Sequence, residues 1–340
     1  MRESAIFASI QGPESFSGSN FFDTIFALYS HFTYAPGGFS MNDKVVRFLS
    51  DELQIRAVTA DTTESVAEAQ RRHGASPTAT AALGRTITAA ALLGTTLKMQ
   101  NTLTIIIDGN GPLGRLVATC DASGNVRGYV QNSEVNLPPN EEDKLNVADA
   151  VGRDGHIGVI YDMGLKKPYQ GSAPLVSGEI GVDVAYYLTA SEQIPSAVGL
   201  GVLVSTGGTP KASGGFMIQA LPEENGQRKD SSHRDDILNE ISARTQDLGS
   251  ISRLIDQDIT HDQIVNKLTG EIPVRRISSD QIQFKCECDK QRAENILMTM
   301  DEEEIEEILA ELQQIEVTCE FCRGEYRFDA AEVARLIKEE

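Results

Sequence analysis

Cys286-Glu287-Cys288 and Cys319-Glu320-Phe321-Cys322, separated by 30 residues, hold four of the five cysteines of this 340-residue chain. A CxC and a CxxC brought together supply four thiolates, enough to complete one tetrahedral zinc shell. Thiolates that hold zinc are also what an oxidant attacks first, so the same cluster can act as a switch. In a strand, residues i and i+2 share a face, so Cys286 and Cys288 can aim at one metal; Phe284-Lys285 before them suits a strand. Cys319 and Cys322 follow the β-like Ile315–Thr318, and Gly324 is expected to supply the tight turn of a zinc knuckle.

Spacing alone leaves a permanent structural zinc site and a redox switch both open. Two features favour the switch. All four candidate ligands are Cys, with no His, and each close pair offers a partner thiol nearby. A CxC disulfide nevertheless closes a strained ring and needs local unfolding.

Asp301 and Glu304 have capping-box spacing ahead of the apolar face Ile305, Ile308, Leu309 and Leu312, and Asp329 and Glu332 repeat the device before Val333, Leu336 and Ile337. The predicted unit is strand, helix, knuckle and final helix within 271–340. So small a unit has little core and needs a staple. Structural zinc supplies roughly 10–16 kcal/mol at neutral pH.

Upstream, 41–60 reads as a strand or short helix followed by a strand. Ser76 as cap, Pro77 at the first position and an Ala/Leu/Thr-rich run to Leu97 predict a long, mostly buried helix. Thr102–Ile107, Arg115–Cys120 and Asn125–Gln131 read as strands separated by turn residues, as do 156–161, 199–204 and 215–221, with a helix-like segment near 182–188. Residues 223–236 contain no apolar side chain and read as a hydrated linker. Beyond them, 237–268 gives short amphipathic helices whose apolar positions (Ile237, Leu238, Ile241; Ile251, Leu254, Ile255; Ile264, Val265, Leu268) must pack on a neighbour.

The net charge of −20 argues against nucleic acid as the main partner, since phosphate binding needs a cationic surface. Residues 271–340 alone carry 19 acidic and 9 basic side chains. No apolar run is long enough for a membrane span. The first 40 residues hold seven of the twelve Phe and only four charges, and match neither a secretory signal nor a transit peptide. They are expected to lie outside the folded core, as a disordered extension or a spurious upstream start.

Gly109-Asn110-Gly111-Pro112-Leu113-Gly114 matches GxGxxG, but a dinucleotide site needs a helix opening within the motif. Pro112 and the strand that follows make it a hairpin turn. Cys120, in a strand pattern, reads as inert packing. His31, His73, His156, His233 and His261 are scattered, and no catalytic grouping is visible.

The CxC and CxxC pairs, the Gly109–Gly114 turn, Gly124-Asn125-Val126-Arg127-Gly128-Tyr129, Ser191-Glu192-Gln193-Ile194-Pro195 and Gly214-Gly215-Phe216-Met217 together resemble the redox-regulated holdase chaperones of the thirty-three-kilodalton heat-shock protein family. The resemblance runs from about Met41 to Glu340. It implies a cytoplasmic, ATP-independent chaperone of unfolded client proteins, not an enzyme, without nucleic-acid or membrane partners. It further implies one Zn2+ on Cys286, Cys288, Cys319 and Cys322 in an inactive reduced form. Oxidation would form Cys286–Cys288 and Cys319–Cys322 disulfides, release zinc, unfold linker and zinc domain, and favour a homodimer.

The expected fold is α+β: an N-terminal α/β core domain at 41–222, a flexible amphipathic helical linker at 223–270 and a small C-terminal zinc-binding redox-switch domain at 271–340. Two rivals are a constitutive zinc-ribbon interaction module and a thiol–disulfide oxidoreductase. The second would need its CxxC at a helix N-terminus in a βαβ setting.

Overall fold

The computed structural model describes residues 8–9, 43–98, 100–205, 207–221, 240–241, 243–245, 248–270 and 273–338. Of the first 40 residues only Ala8–Ser9 (β1) are described, and the whole of the hydrated stretch 223–236 lies outside the described residues. The chain divides into two compact units, one spanning Met41–Cys286 and one built on Glu287–Glu340 with the segment that contains β1.

In chain order the larger unit comprises β2 (Lys44–Ser50), β3 (Ile55–Asp61), α1 (Thr63–His73), α2 (Pro77–Gly94), β4 (Thr102–Asp108), β5 (Leu116–Asp121) and β6 (Asn125–Val130). Then follow α3 (Val147–Val151), β7 (His156–Asp162), β8 (Tyr169–Pro174), α4 (Gly181–Ala190), β9 (Ser196–Val204), β10 (Pro210–Ala220), α5 (Ile251–Asp256), α6 (His261–Thr269), β11 (Arg275–Gln281) and β12 (Gln283–Phe284). A five-stranded sheet runs β11-β2-β3-β10-β9 and a six-stranded sheet β12-β6-β5-β4-β7-β8. Every described pairing here is antiparallel except β12 on β6. The architecture is therefore α+β, as the sequence predicts.

Helix α2 forms where expected and packs against strands of both sheets. Ser76 Oγ accepts the Ala79 N–H, Pro77 opens the first turn, and the helix is buried around nearly its whole circumference. Buried Thr86 and Thr88 satisfy their hydroxyls on the Ala82 and Gly84 carbonyls, so an Ala/Thr surface can be buried without orphaned polar groups. The helix stops three residues before Leu97. Thr95 and Thr96 hydroxyls donate back to the Leu92 and Leu93 carbonyls, and a Cβ at Gly94 would lie 2.5 Å from the Cys120 sulfur.

Helix α1 has no counterpart in the sequence reading. Its N-terminal amides of Glu64 and Ser65 donate to the Asp43 carboxylate at 2.9 and 2.7 Å. That cap lies 20 residues upstream, but Asp61 Oδ1 also accepts the Thr63 N–H at 3.1 Å, and Asp61-Thr62-Thr63-Glu64 has a capping-box spacing that the sequence reading passed over.

The GxGxxG segment is the β4–β5 turn. Gly111 N and Leu113 N donate to the Val151 and Ala150 carbonyls, and a Cβ on Gly109 or Gly111 would come within 2.4 Å of a backbone oxygen of that segment. Its glycines serve backbone packing.

On its other face, the five-stranded sheet carries α5 and α6. Ile251, Ile264, Val265 and Leu268 join Val46, Phe48, Ile55, Ala57, Phe216 and Ile218 in one buried cluster, with Ile241. Thr260 and Gln263 form a capping box at the start of α6. From Ile241 to Leu268 the described amphipathic positions do pack on a neighbour, this sheet face; Ile237 and Leu238 lie outside the described residues. The boundary expected at 271 falls inside this unit instead. Arg275–Gln281 pairs with β2 as the sheet edge, because a strand gains more backbone hydrogen bonds on an open edge than in a small separate unit.

His261, at the first turn of α6, shares a 2.7 Å hydrogen bond with Thr59 Oγ1. Burial, helped by Lys44 and Arg276, lowers its pKa from 6.5 to about 4. The folded state therefore refuses a proton that the unfolded chain accepts, so this stability is full above pH 6.5 and falls as pH drops towards 4. Wild type should lose up to about 3 kcal/mol more than His261→Gln between pH 7 and 4. Chemical denaturation of both proteins across that range checks it; parallel curves would show His261 titrating normally.

The smaller unit contains α7 (Lys290–Leu297), α8 (Glu302–Leu312), β13 (Gln314–Cys319), β14 (Glu325–Asp329) and α9 (Ala330–Lys338), with a sheet ordered β1-β13-β14. Ala8 and Ser9 pair with Cys319 and Thr318. Among the described residues its buried apolar cluster is Ala293, Leu297, Ile305, Ile315, Val317, Phe328 and Val333. The two expected capping boxes diverge. Asp329 and Glu332 exchange both hydrogen bonds, and Lys290 pairs with Glu332 at 2.6 Å, offsetting the repulsion between the two carboxylates. Asp301 makes no side-chain cap bond. In the run 301–307 every residue but Ile305 is acidic, and two carboxylates at cap spacing repel.

Candidate metal centre

Both cysteine pairs are placed by strand ends. Lys285 N donates to the Val126 carbonyl at 3.0 Å, extending the parallel pairing of β12 with β6 up to the residue before Cys286. After Cys288, Asp289 accepts the Arg292 N–H as N-cap of α7, so Cys286-Glu287-Cys288 is held between a strand and a helix start. Cys319 ends β13. Its N–H donates to the Gly324 carbonyl and its carbonyl accepts the Arg323 N–H, at 2.9 and 2.8 Å, closing a tight turn around Cys322.

The expected role of Gly324 needs correction. The left-handed residue of that turn is Arg323, at φ 55°. Gly324 instead makes room: a Cβ there would lie 3.3 Å from the Cys322 sulfur.

The sulfurs of Cys286, Cys288, Cys319 and Cys322 all lie within 4.8 Å of one another, with Cys288 and Cys322 at 3.0 Å. Zn–S bonds of about 2.3 Å in a tetrahedron put sulfurs about 3.8 Å apart, so the set fits one metal ion with small adjustments. All four are free thiols; Cys319 and Cys322 are buried and Cys286 and Cys288 half-buried. No other group of three or more potential ligands occurs among the described residues.

Tyr326 and Arg127 also reach these sulfurs, and the sequence reading missed both. The Tyr326 hydroxyl donates to Cys288 Sγ at 3.2 Å, and an Arg127 Nη1–H donates to Cys286 Sγ at 3.4 Å. Burial, then the bond to Cys288, holds the Tyr326 hydroxyl protonated well above the usual phenol range. Tyr326 has a local signal, lying four residues past the CxxC pair. Arg127 has none, being 159 residues from its partner.

Cys120 lies apart, on β5 beneath Gly94, 4% exposed. Burial, then the Asp121 charge, pushes its thiol up to about 12, so it holds little thiolate at neutral pH. Cys120→Ser should leave metal content and thiol oxidation of the other four cysteines unchanged. Metal analysis and thiol counting on the purified variant check this, and a loss of bound metal would assign Cys120 a role in the site. Among the described residues, no helix is long and apolar enough to cross a membrane.

The family model described as Hsp33 protein matches residues 43–329. A 33 kDa chaperonin of Geobacillus kaustophilus is 43% identical over 298 residues, covering 87% of this chain and 98% of that protein. One from Staphylococcus haemolyticus is 42% identical with the same coverage. The crystal structure of the 33 kDa chaperonin (heat shock protein 33 homologue) from Thermotoga maritima superposes with a TM-score of 0.78 at 36% identity, covering 87% of this chain and 98% of its own. The chain belongs to the Hsp33 chaperone family. Its first 42 residues lie outside the family match.

Proposed function

We propose that this protein is a redox-regulated, ATP-independent holdase, silent when reduced and metal-bound. The observation that carries the reading is the gathering of four free thiols, three of them in a unit whose main buried cluster is only seven residues. The metal is zinc, because four thiolates in a tetrahedral set are its preferred structural shell. When bound, zinc keeps the thiolates deprotonated and cross-links the ends of β12, α7 and β13.

Peroxide oxidises each pair: two thiolates and two protons reduce one H2O2 to two waters as an S–S bond forms. With both pairs oxidised as Cys286–Cys288 and Cys319–Cys322, no ligand remains and the metal leaves. Residues 287–340 then lose their cross-link and unfold. The segment 223–270 detaches with them, and α5 and α6 uncover the apolar sheet face they bury. Unfolding polypeptides bind there and are kept from aggregating; the oxidised protein dimerises. Neither catalysis nor a nucleic-acid partner belongs to this reading, whose place is the cytoplasm. CxxC here ends a strand and enters a turn, not a helix, which disfavours an oxidoreductase.

Aggregation of a thermally unfolding client, followed by light scattering, tests the reading. Peroxide-treated protein should suppress it and reduced protein should not. Equal suppression by both forms would eliminate the switch.

A further inference from the structure

Arg127 lies on β6, the strand that pairs with β12 directly before Cys286. Its cross-strand neighbour is Thr119, and its Nε–H donates to Thr119 Oγ1 at 3.2 Å. That bond fixes the guanidinium so that its Nη1 meets Cys286 Sγ. Tyr326 is placed the same way: it pairs with Val317 on β13, two residues before Cys319, and its hydroxyl meets Cys288 Sγ. Each close cysteine of the CxC pair thus receives a donor from the strand beside a ligand-bearing strand.

We propose that Arg127 and Tyr326 are positioning residues that tune metal retention by hydrogen-bonding the ligand sulfurs of Cys286 and Cys288. This rests on the zinc reading above. Four thiolates around Zn2+ leave a net charge of about −2, and Glu287 and Glu320 stand beside the ligands in sequence. One guanidinium and one phenol hydroxyl disperse that charge at the two half-buried sulfurs, the ones that water and chelators reach. Hydrogen bonds to ligand atoms hold them in place, and their loss typically weakens metal affinity about 10–100-fold.

The two donors differ in kind. Arg127 brings charge as well as a hydrogen bond, so Arg127→Lys keeps the charge while losing the planar fork that reaches Thr119 and Cys286 together. Tyr326→Phe removes one oxygen and keeps the ring.

The test is zinc competition with a chromogenic chelator on reduced, full-length protein, for wild type, Arg127→Gln, Arg127→Lys and Tyr326→Phe. Arg127→Gln and Tyr326→Phe should each bind zinc about 10-fold more weakly, with Arg127→Lys in between. Cobalt substitution reads the sulfurs themselves: losing a donor raises electron density on sulfur, so the thiolate-to-Co2+ charge-transfer band should move to longer wavelength in both variants. A substitution that merely loosens packing would weaken binding and leave the band in place. Folded variants with wild-type affinity and an unmoved band would overturn the proposal. Wild type that binds no zinc would instead overturn the reading on which it rests. Should Arg127→Gln fail to fold, Tyr326→Phe and Arg127→Lys decide the matter alone.

Discussion

Stripping zinc from the reduced protein, or replacing Cys288 by Ser, is expected to unfold residues 287–338 while 43–221 stays folded. Seven buried apolar residues form the core cluster described in the smaller unit. Its helices have 8, 11 and 9 residues, too short to hold themselves in water. Whole domains are stable by only about 5–15 kcal/mol, and four-thiolate zinc sites contribute roughly 10–16 kcal/mol. Removing the metal therefore exceeds any margin so small a core provides. Hydrogen exchange with and without a strong chelator measures this: α7, α8, β13 and β14 should lose protection and α2 should keep it. Undiminished protection at β13 and β14 would mean the unit is stable without its metal.

The second large effect is expected from Leu268→Ala, which should make the reduced, zinc-loaded protein an active chaperone. Leu268 is fully buried on the sheet face with Phe48, Phe216 and Ile218. Truncating such a residue costs about 2–5 kcal/mol. Helices α5 and α6 have 6 and 9 residues, so their order depends on that docking. Losing it uncovers Val46, Phe48, Ile55 and Ile218 without touching the cysteines. Client light scattering with reduced variant, alongside zinc content, gives the answer. A zinc-loaded variant whose α6 exchanges freely yet captures no client would separate that face from client binding.

How much of this was legible in the sequence depended on range. Helix α2 was readable because its cap, its first-turn Pro and its small apolar residues are contiguous. The β4–β5 turn was readable because Pro112 and the following strand exclude a helix. The four cysteines announced themselves by spacing, and the structure brings their sulfurs together. Long-range effects were hidden. Helix α1 hydrogen-bonds two of its first amides to Asp43 from beyond two strands, β11 finds its hydrogen-bond partners more than 200 residues upstream, and Arg127 reaches Cys286 only because β12 lies on β6. Even within the knuckle, the sequence pointed to Gly324 for the tight turn, whereas Arg323 adopts its left-handed conformation and Gly324 yields space to a sulfur. Asp301 stays uncapped within an acidic run, whereas at Asp329 the Lys290 ammonium offsets the like charge.

The central claim is that one metal and four thiols make a single oxidisable unit. Counting zinc and free thiols in the same sample along a peroxide course tests it most directly. Starting from one zinc and five thiols, the account predicts that zinc release keeps pace with thiol loss and ends with a single thiol, Cys120, and no bound metal. Zinc that stays bound while client capture switches on, or a final state with Cys120 oxidised and the four clustered thiols intact, would contradict it.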